Sequence, residues 1–173
     1  DLHSFPTRRS SDLSFITPYI KYGEKNLICV RADASLEEGW YYEGAGIYRD
    51  VWLEKCAEVS VAPFGTFVYA ELSKPYAKAK LCIETEVCNS TLKSQRCEVV
   101  QRLLDAEGKE IGKSNATALN LTAKQTQSCK QSITVERPHL WSTIDPYLYQ
   151  VETTVMQHGK VTDVYKTTTG IRE

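Results

Sequence analysis

The acidic residues that stand close together in the sequence are the first candidates for chemistry. Glu84 and Glu86 are two residues apart in a run with strand character, so both should project from one face, about 7 Å apart. Two carboxyl groups can act as acid and nucleophile when they lie roughly 5–5.5 Å apart across a cleft, and the middle of a strand offers no cleft. We therefore interpret this pair as part of a solvated face. Adjacent Glu37 and Glu38 should point in opposite directions in an extended chain, so they do not easily address one substrate atom.

The aromatic loop that follows these two glutamates is the second candidate site. It contains Glu37, Glu38, Trp40, Tyr41 and Tyr42. Aromatic faces pack against the apolar C–H surface of a hexose while carboxylates accept its hydroxyl hydrogens, so the composition suits a sugar. Clustered Trp and Tyr more commonly pack against another domain or subunit. We predict that this loop forms a domain interface or contacts a substrate, and we favour the interface.

The histidines and cysteines give no support for nucleophilic or metal-assisted catalysis. His3, His139 and His158 are isolated, and no serine lies in a G-x-S-x-G motif. The six cysteines contain no C-x-x-C pair and no closely spaced histidine pair accompanies them, so neither a metal site nor a cofactor is predicted. Cys88 and Cys97 flank a turn-rich segment and could form a disulfide across a hairpin, although connectivity cannot be deduced from sequence.

Length and composition set the class of protein. The chain has 173 residues, 42% of them hydrophobic, and a formal net charge of −1. This is enough for one domain, or for one domain and part of another. Without a block of Lys and Arg, neither nucleic acid nor an anionic membrane is a predicted partner. No apolar run approaches the roughly 20 residues of a membrane span, and no signal peptide is recognisable.

The first thirteen residues fit neither a strand nor a helix pattern. They read DLHSFPTRRSSDL. Codons for residues 3–13 can be chosen so that they spell the end of a common short-read sequencing adapter. We therefore expect residues 1–13 to be a sequencing artefact that is disordered, and we exclude them from the reasoning on the fold.

The remainder of the chain has the pattern of an all-β protein. Runs at 15–21 and 26–32 have β character, and residues 47–53 alternate as a strand should after the turn at Gly44 and Gly46. Pro63–Thr66 interrupts the alternation, because proline cannot donate to a central ladder, and we place a domain boundary between 62 and 63. Seven further strands are expected near 67–72, 79–88, 96–104, 110–118, 126–135, 147–156 and 161–169.

Seven short strands at this spacing predict an antiparallel β-sandwich with immunoglobulin-like topology. Apolar residues of these strands, together with Trp141 from the connection before the strand at 147–156, should fill its core. They are Leu81, Ile83, Val87, Val99, Ile133, Val135, Trp141, Leu148, Val151 and Tyr165.

Four stretches carry a resemblance to a known family. NLICVRADAS at 26–35 and GAGIYRDVWL at 44–53 are followed by RPHLWSTIDPYLYQVETTV at 137–155 and GIRE at 170–173. Together they resemble family 2 glycoside hydrolases, most closely the β-galactosidases, over roughly residues 14–173. The resemblance implies that residues 14–62 are the C-terminal part of a sugar-binding jelly-roll domain and that residues 63–173 are an immunoglobulin-like β-sandwich.

In that family both catalytic glutamates belong to a barrel that follows the sandwich. The resemblance therefore implies a non-catalytic fragment that supports the missing barrel. The expected partners are that barrel and a β-galactoside, and the parent protein is expected to be a homo-oligomer. A β-glucuronidase or β-mannosidase parent is the alternative within the family. A free-standing module that binds carbohydrate or protein is the alternative outside it.

Deleting residues 1–13 should leave the stability of the protein unchanged. A disordered arm has no packing partner to offset the ordering entropy of about 1–2 kcal/mol per residue. Thermal unfolding of the full and the shortened chain checks this. A midpoint that falls by several degrees on deletion would show that the segment belongs to the fold.

Overall fold

The structure, a computed structural model, describes residues 14–31, 46–47 and 50–172. The chain divides into two compact units, Asp1–Leu53 and Glu54–Glu173. The predicted artefact at 1–13 and the aromatic loop at 37–42 lie outside the described residues.

The described part of the first unit contains a short 3-10 helix, Thr17–Tyr19, where the sequence pattern predicted a strand. Pro18 favours this turn because its φ is fixed near the helical value and it has no N–H for a strand ladder. The prediction of a strand over 15–21 is therefore wrong, and residues 26–31 and 50–53 form no strand either. A strand needs a neighbour for its backbone hydrogen bonds, and the described residues of this unit provide none. That this unit is part of a jelly-roll domain stays a prediction.

The described residues of the second unit form eight strands. They are β1 (Val59–Leu72), β2 (Lys78–Asn89), β3 (Gln95–Leu104), β4 (Glu110–Lys113), β5 (Thr117–Leu121), β6 (Thr126–Glu136), β7 (Tyr149–Gln157) and β8 (Lys160–Thr169). One sheet has the order β1-β2-β6. The other has the order β4-β3-β7-β8, and β5 also pairs with β3. All pairings are antiparallel, so the predicted all-β, immunoglobulin-like sandwich is confirmed.

Two strands differ from the sequence pattern. β1 continues through Pro63, because a register shift between Val61 and Thr66 accommodates the proline as a bulge. The expected strand over 110–118 is divided into β4 and β5. At the division Ser114 donates its N–H to Gln101 O (2.9 Å) and accepts the Gln101 N–H on its Oγ (3.0 Å), so a side chain replaces one backbone partner.

The interior of the sandwich contains two apolar clusters separated by polar side chains. The first cluster consists of Val59, Val61, Val87, Cys97, Val99, Leu119, Leu121, Cys129 and Val155. The second consists of Ala79, Leu81, Ile83, Leu103, Ile133, Val135, Tyr149, Val151 and Ile171. Four strands contribute buried members to both clusters, and each of the four carries a polar residue between them. These residues, the polar layer, are Thr85, Gln101, Gln131 and Thr153.

The polar layer is held together by hydrogen bonds between the two sheets. Gln101, which is fully buried, donates through Nε2 to Thr85 Oγ1 (2.9 Å) and accepts the Thr153 hydroxyl on Oε1 (2.6 Å). Gln131 donates through Nε2 to Ser114 Oγ (3.0 Å) and to the backbone carbonyl of Asn115 (2.7 Å). Gln131 also donates to Val99 O on β3 (3.1 Å), so the side chains of Gln101 and Gln131 both join strands of the two sheets at the centre of the sandwich.

The predicted core is largely confirmed. Seven of its members are buried, namely Leu81, Ile83, Val87, Val99, Ile133, Val135 and Val151. Tyr165 is partly buried against the first cluster. Two assignments are wrong: Trp141 is only half-buried and Leu148 is 45% exposed. Both lie in the connection between β6 and β7, where strand alternation does not determine which side chains face inward.

Replacing Leu103 by Ala should lower the free energy of unfolding by about 2–5 kcal/mol, because Leu103 is fully buried and its loss leaves a cavity. Leu92→Ala removes the same atoms from a side chain that is 82% exposed and should change stability little. Urea unfolding of both variants measures the difference. Equal effects would mean that the second cluster is not the packed core.

Candidate functional site

The segment between β6 and β7, residues 137–148, crosses one end of the sandwich and holds the last described residues of the chain. Trp141 donates its N–H to Ile171 O at 2.8 Å, and Ile171 is fully buried in the second cluster. A Cβ on Gly170 would lie 3.0–3.2 Å from three carbon atoms of the Trp141 side chain, so glycine permits this close approach. The Arg172 guanidinium lies over the indole ring, 5.7 Å from its centroid. This arrangement, the exit clamp, fixes the direction in which the chain leaves β8.

A stack of aromatic rings also holds the segment 137–148 in place. The His139 and Tyr147 rings are parallel within 9° with centroids 4.0 Å apart, and Tyr149 meets Tyr147 edge-on at 5.0 Å. The Tyr149 hydroxyl accepts the His139 N–H (2.7 Å), and the Tyr147 hydroxyl accepts the Ala106 N–H (3.1 Å). Burial raises the pKa of the Tyr149 phenol, although the hydrogen bond from His139 opposes the rise.

An open groove of about 600 Å³ lies beside this stack, and two carboxylates line it. Asp105 Oδ1 accepts the N–H groups of Glu107 (3.1 Å) and Lys109 (2.8 Å), which closes the turn before β4. Asp145 Oδ2 lies 2.6 Å from His139 Nε2. Both carboxylates are therefore engaged in local structure. These local contacts argue against the use of the two groups as an acid–nucleophile pair.

Glu84 and Glu86 lie on the outer face of the three-stranded sheet, as the sequence pattern indicated. Glu84 forms an ion pair with Lys130 (2.6 Å) and Glu86 is exposed. They line a shallow cavity of about 170 Å³ together with Phe64 and Phe67, which the sequence reasoning did not single out. The sequence signal that could have found these rings is their position beside Pro63 and Gly65, which mark the bulge in β1.

The cysteines are free thiols. No Cys88–Cys97 disulfide is formed, a possibility that the sequence left open. Cys88 Sγ lies 3.6 Å from Ser60 Oγ, whereas Cys97 belongs to the buried first cluster with Cys129. Burial raises the pKa of the Cys97 thiol, and it raises that of Cys129 from 9.0 to about 11, with the nearby Cys97 as the second cause. Within the described ranges, no group of three His, Cys, Asp or Glu side chains is placed to hold a metal ion.

The prediction that a loop forms a domain interface or contacts a substrate stays a prediction. Its residues, Glu37, Glu38, Trp40, Tyr41 and Tyr42, lie outside the described residues. Among the residues that are described, no helix is long and apolar enough to cross a membrane.

These features define the class of protein: an antiparallel β-sandwich domain in which Asp105, Asp145 and Glu84 make local structural contacts. Comparison with known proteins places it more narrowly. The family model for glycosyl hydrolases family 2 matches residues 60–172. A β-galactosidase of Bacteroides ovatus is 35% identical over 158 residues, and a β-glucuronidase of Formosa agariphila is 29% identical over 178 residues. Each alignment covers 91% of this chain and 18% of the relative.

Comparison with solved structures gives the same family. A glycosyl hydrolase family 2 member from Bacteroides cellulosilyticus superposes with a TM-score of 0.82 over 90% of this chain, at 28% identity, and 21% of that structure is covered. A β-glucuronidase from Bacteroides uniformis superposes with a TM-score of 0.66 over 73% of this chain, at 26% identity, with 16% of its own length covered. The chain belongs to glycosyl hydrolases family 2, and it spans about a fifth of the length of these relatives.

Replacing Cys129 by Ala should make stability less sensitive to alkaline pH. The thiol pKa is about 11 in the folded chain, so the neutral thiol stabilises the fold below pH 9, and this contribution is lost as the pH rises to about 11. The loss should be about 2 kcal/mol, since one pKa unit corresponds to about 1.4 kcal/mol.

Urea unfolding at pH 8, 9, 10 and 11 measures this dependence. The wild-type curve should fall more steeply than that of Cys129→Ala, and Cys29→Ala, which removes an exposed thiol, should follow the wild type. Parallel curves for all three proteins would contradict the assignment.

Proposed function

We propose that this chain is a non-catalytic part of a family 2 glycoside hydrolase whose catalytic barrel follows the sandwich. Its function is to hold that barrel in a fixed orientation. The exit clamp carries the proposal, because Trp141, Gly170 and Ile171 fix the chain where it leaves the last strand. A mobile exit would leave the next domain free to reorient.

The parent enzyme hydrolyses β-galactosides in this proposal. The 35% identity to a β-galactosidase favours it over the alternatives. A β-glucuronidase parent is the second candidate, since relatives with that name are 29% identical over similar lengths. The sandwich does not choose between the two sugars if the substrate binds to the barrel.

We propose further that the aromatic loop with Trp40, Tyr41 and Tyr42 packs against the barrel or against a second subunit. Clustered Trp and Tyr side chains are enriched in such interfaces. The parent is a homo-oligomer in this proposal if the loop meets a second copy.

The 173-residue chain alone should not hydrolyse an aryl β-galactoside, whereas the same chain joined to a complete family 2 barrel should. The reason is that the described carboxylates form no acid–nucleophile pair. Release of the aryl group from matched galactoside and glucuronide substrates measures activity and distinguishes the two candidate parents. Turnover by the chain alone, abolished by replacing one of its own glutamates, would contradict the proposal.

In the joined polypeptide, Trp141→Ala should reduce kcat/KM several-fold, because the loosened exit allows the barrel and the sandwich to separate. Leu92→Ala, at an exposed position, is the control and should leave kcat/KM unchanged. Unaltered activity and unaltered thermal unfolding of Trp141→Ala would show that the exit clamp has no role in orienting the barrel.

A further inference from the structure

The outer face of the three-stranded sheet carries aromatic rings that the core does not use. Phe64 is 76% exposed, Phe67 63% and Tyr69 41%. Phe67 and Tyr69 are two residues apart on β1 and therefore share a face, with ring centroids 5.7 Å apart and planes tilted by 34°. Contiguous exposed apolar surface of this kind marks a site of interaction.

The backbone beside these rings is held in an uncommon conformation. Phe64 has φ +56°, a left-handed value that non-glycine residues rarely adopt. The next residue is confined as well, because a Cβ on Gly65 would lie 2.7 Å from Ala62 O and 3.2 Å from the Glu86 Cβ. Bulges of this type redirect side chains next to functional sites. Here the bulge brings Phe64 into the same cavity wall as Phe67.

Polar groups complete the wall opposite the rings. The cavity of about 170 Å³ is lined by Phe64, Phe67, Glu84, Glu86 and Ser128, with Gly65 at its base. Within the described part of the chain, the Glu86 carboxylate has no hydrogen bond or ion pair. Ser128 lies directly opposite Glu86 in the strand register. Lys130, paired with Glu84 at 2.6 Å, keeps further N–H donors on its ammonium group.

This combination of groups distinguishes between two kinds of occupant. The core of a protein–protein interface is depleted of charged residues, whereas here two carboxylates and an ammonium group lie beside the rings. A pyranose has an apolar C–H face that can pack on an aromatic ring and a rim of hydroxyls that carboxylate, hydroxyl and ammonium groups can bind. The cavity is shallow and smaller than the roughly 300–1,000 Å³ of sites for drug-sized ligands, which limits an occupant to about one sugar ring.

From this geometry we infer that the outer face of the β1-β2-β6 sheet is a carbohydrate-binding site for one neutral pyranoside ring. The sugar packs its C–H face on Phe67 and Phe64 and donates hydroxyl hydrogens to Glu86. The site lies on the sandwich itself and does not depend on the proposed barrel. Affinity is in the millimolar range, since an open face buries one side of the ring only.

Titration of the ¹⁵N-labelled chain with methyl β-galactoside, followed by amide chemical shifts, tests the inference. Saturable shifts should map to the bulge in β1 and to residues 84–86 and 128–130. Methyl β-glucuronide should bind several-fold more weakly than the neutral sugar, because its carboxylate meets Glu86 and Glu84.

Two variants and two matched controls identify the contacts. Phe67→Ala should weaken binding about fivefold and Glu86→Gln about tenfold. Leu92→Ala, an exposed apolar residue in the β2–β3 turn, and Glu98→Gln, an exposed glutamate in the other sheet, should leave the dissociation constant unchanged. Because both test residues are exposed, their replacement should not unfold the domain.

The absence of saturable shifts, or shifts that none of the variants alter, would overturn the inference. Sedimentation equilibrium provides a second criterion. A dimer that is lost in Phe64→Ala, with no sugar-dependent shifts, would assign the aromatic face to contacts between copies of the chain and would likewise overturn the sugar site.

Discussion

The sandwich depends on the polar layer that separates its two apolar clusters. Gln101 bonds to Thr85 in one sheet and to Thr153 beside it in its own sheet, at 2.9 and 2.6 Å. A neutral hydrogen bond contributes only about 0.5–1.5 kcal/mol net, but a buried polar group without a partner costs about 1–3 kcal/mol. Sliding one sheet against the other by a residue pair would place these polar groups against Val and Leu side chains. The layer therefore selects one alignment of the two sheets.

The alignment of the sheets in turn determines the positions of both candidate sites. The second cluster ends at Ile171, so the exit clamp lies where that cluster closes the end of the sandwich. On the other side of the three-stranded sheet, inward Thr85 alternates with outward Glu84 and Glu86. Thus the same register that buries the polar layer presents the carboxylates beside Phe67.

Strand alternation was sufficient to predict the sandwich and most of its core, because residues such as Leu81, Ile83 and Val87 alternate with outward polar residues and are buried. It could not predict the polar layer, since a buried Gln or Thr in an alternating strand looks like an interruption. It also misplaced Trp141 and Leu148, which belong to a connection where a β-period has no meaning. The 3-10 turn at Thr17–Tyr19 was missed because the β-prone residues around Pro18 outweighed the proline in the sequence pattern.

The proposed sugar site on the outer face of the β1-β2-β6 sheet could not be predicted from the pattern either. Alternation indicates that Phe67 and Tyr69 share a side of β1, but it does not say whether that side is covered. Pro63 was read as the end of a strand, whereas the register shift after Val61 lets β1 continue and turns Phe64 outward. Family resemblance, in contrast, was readable directly from four stretches of sequence. Two of them contain Trp141 and Gly170, which approach each other closely in the structure.

The most direct test of the polar layer compares the free energy of unfolding of Gln101→Leu with that of the triple variant Thr85→Val, Gln101→Leu, Thr153→Val. The single variant leaves two buried hydroxyls without partners and should lose about 2–5 kcal/mol in urea unfolding. The triple variant replaces all three hydrogen-bonded side chains, Thr85, Gln101 and Thr153, by apolar groups, and it should recover most of that loss. A single variant as stable as the wild type, or a triple variant less stable than the single one, would contradict the account.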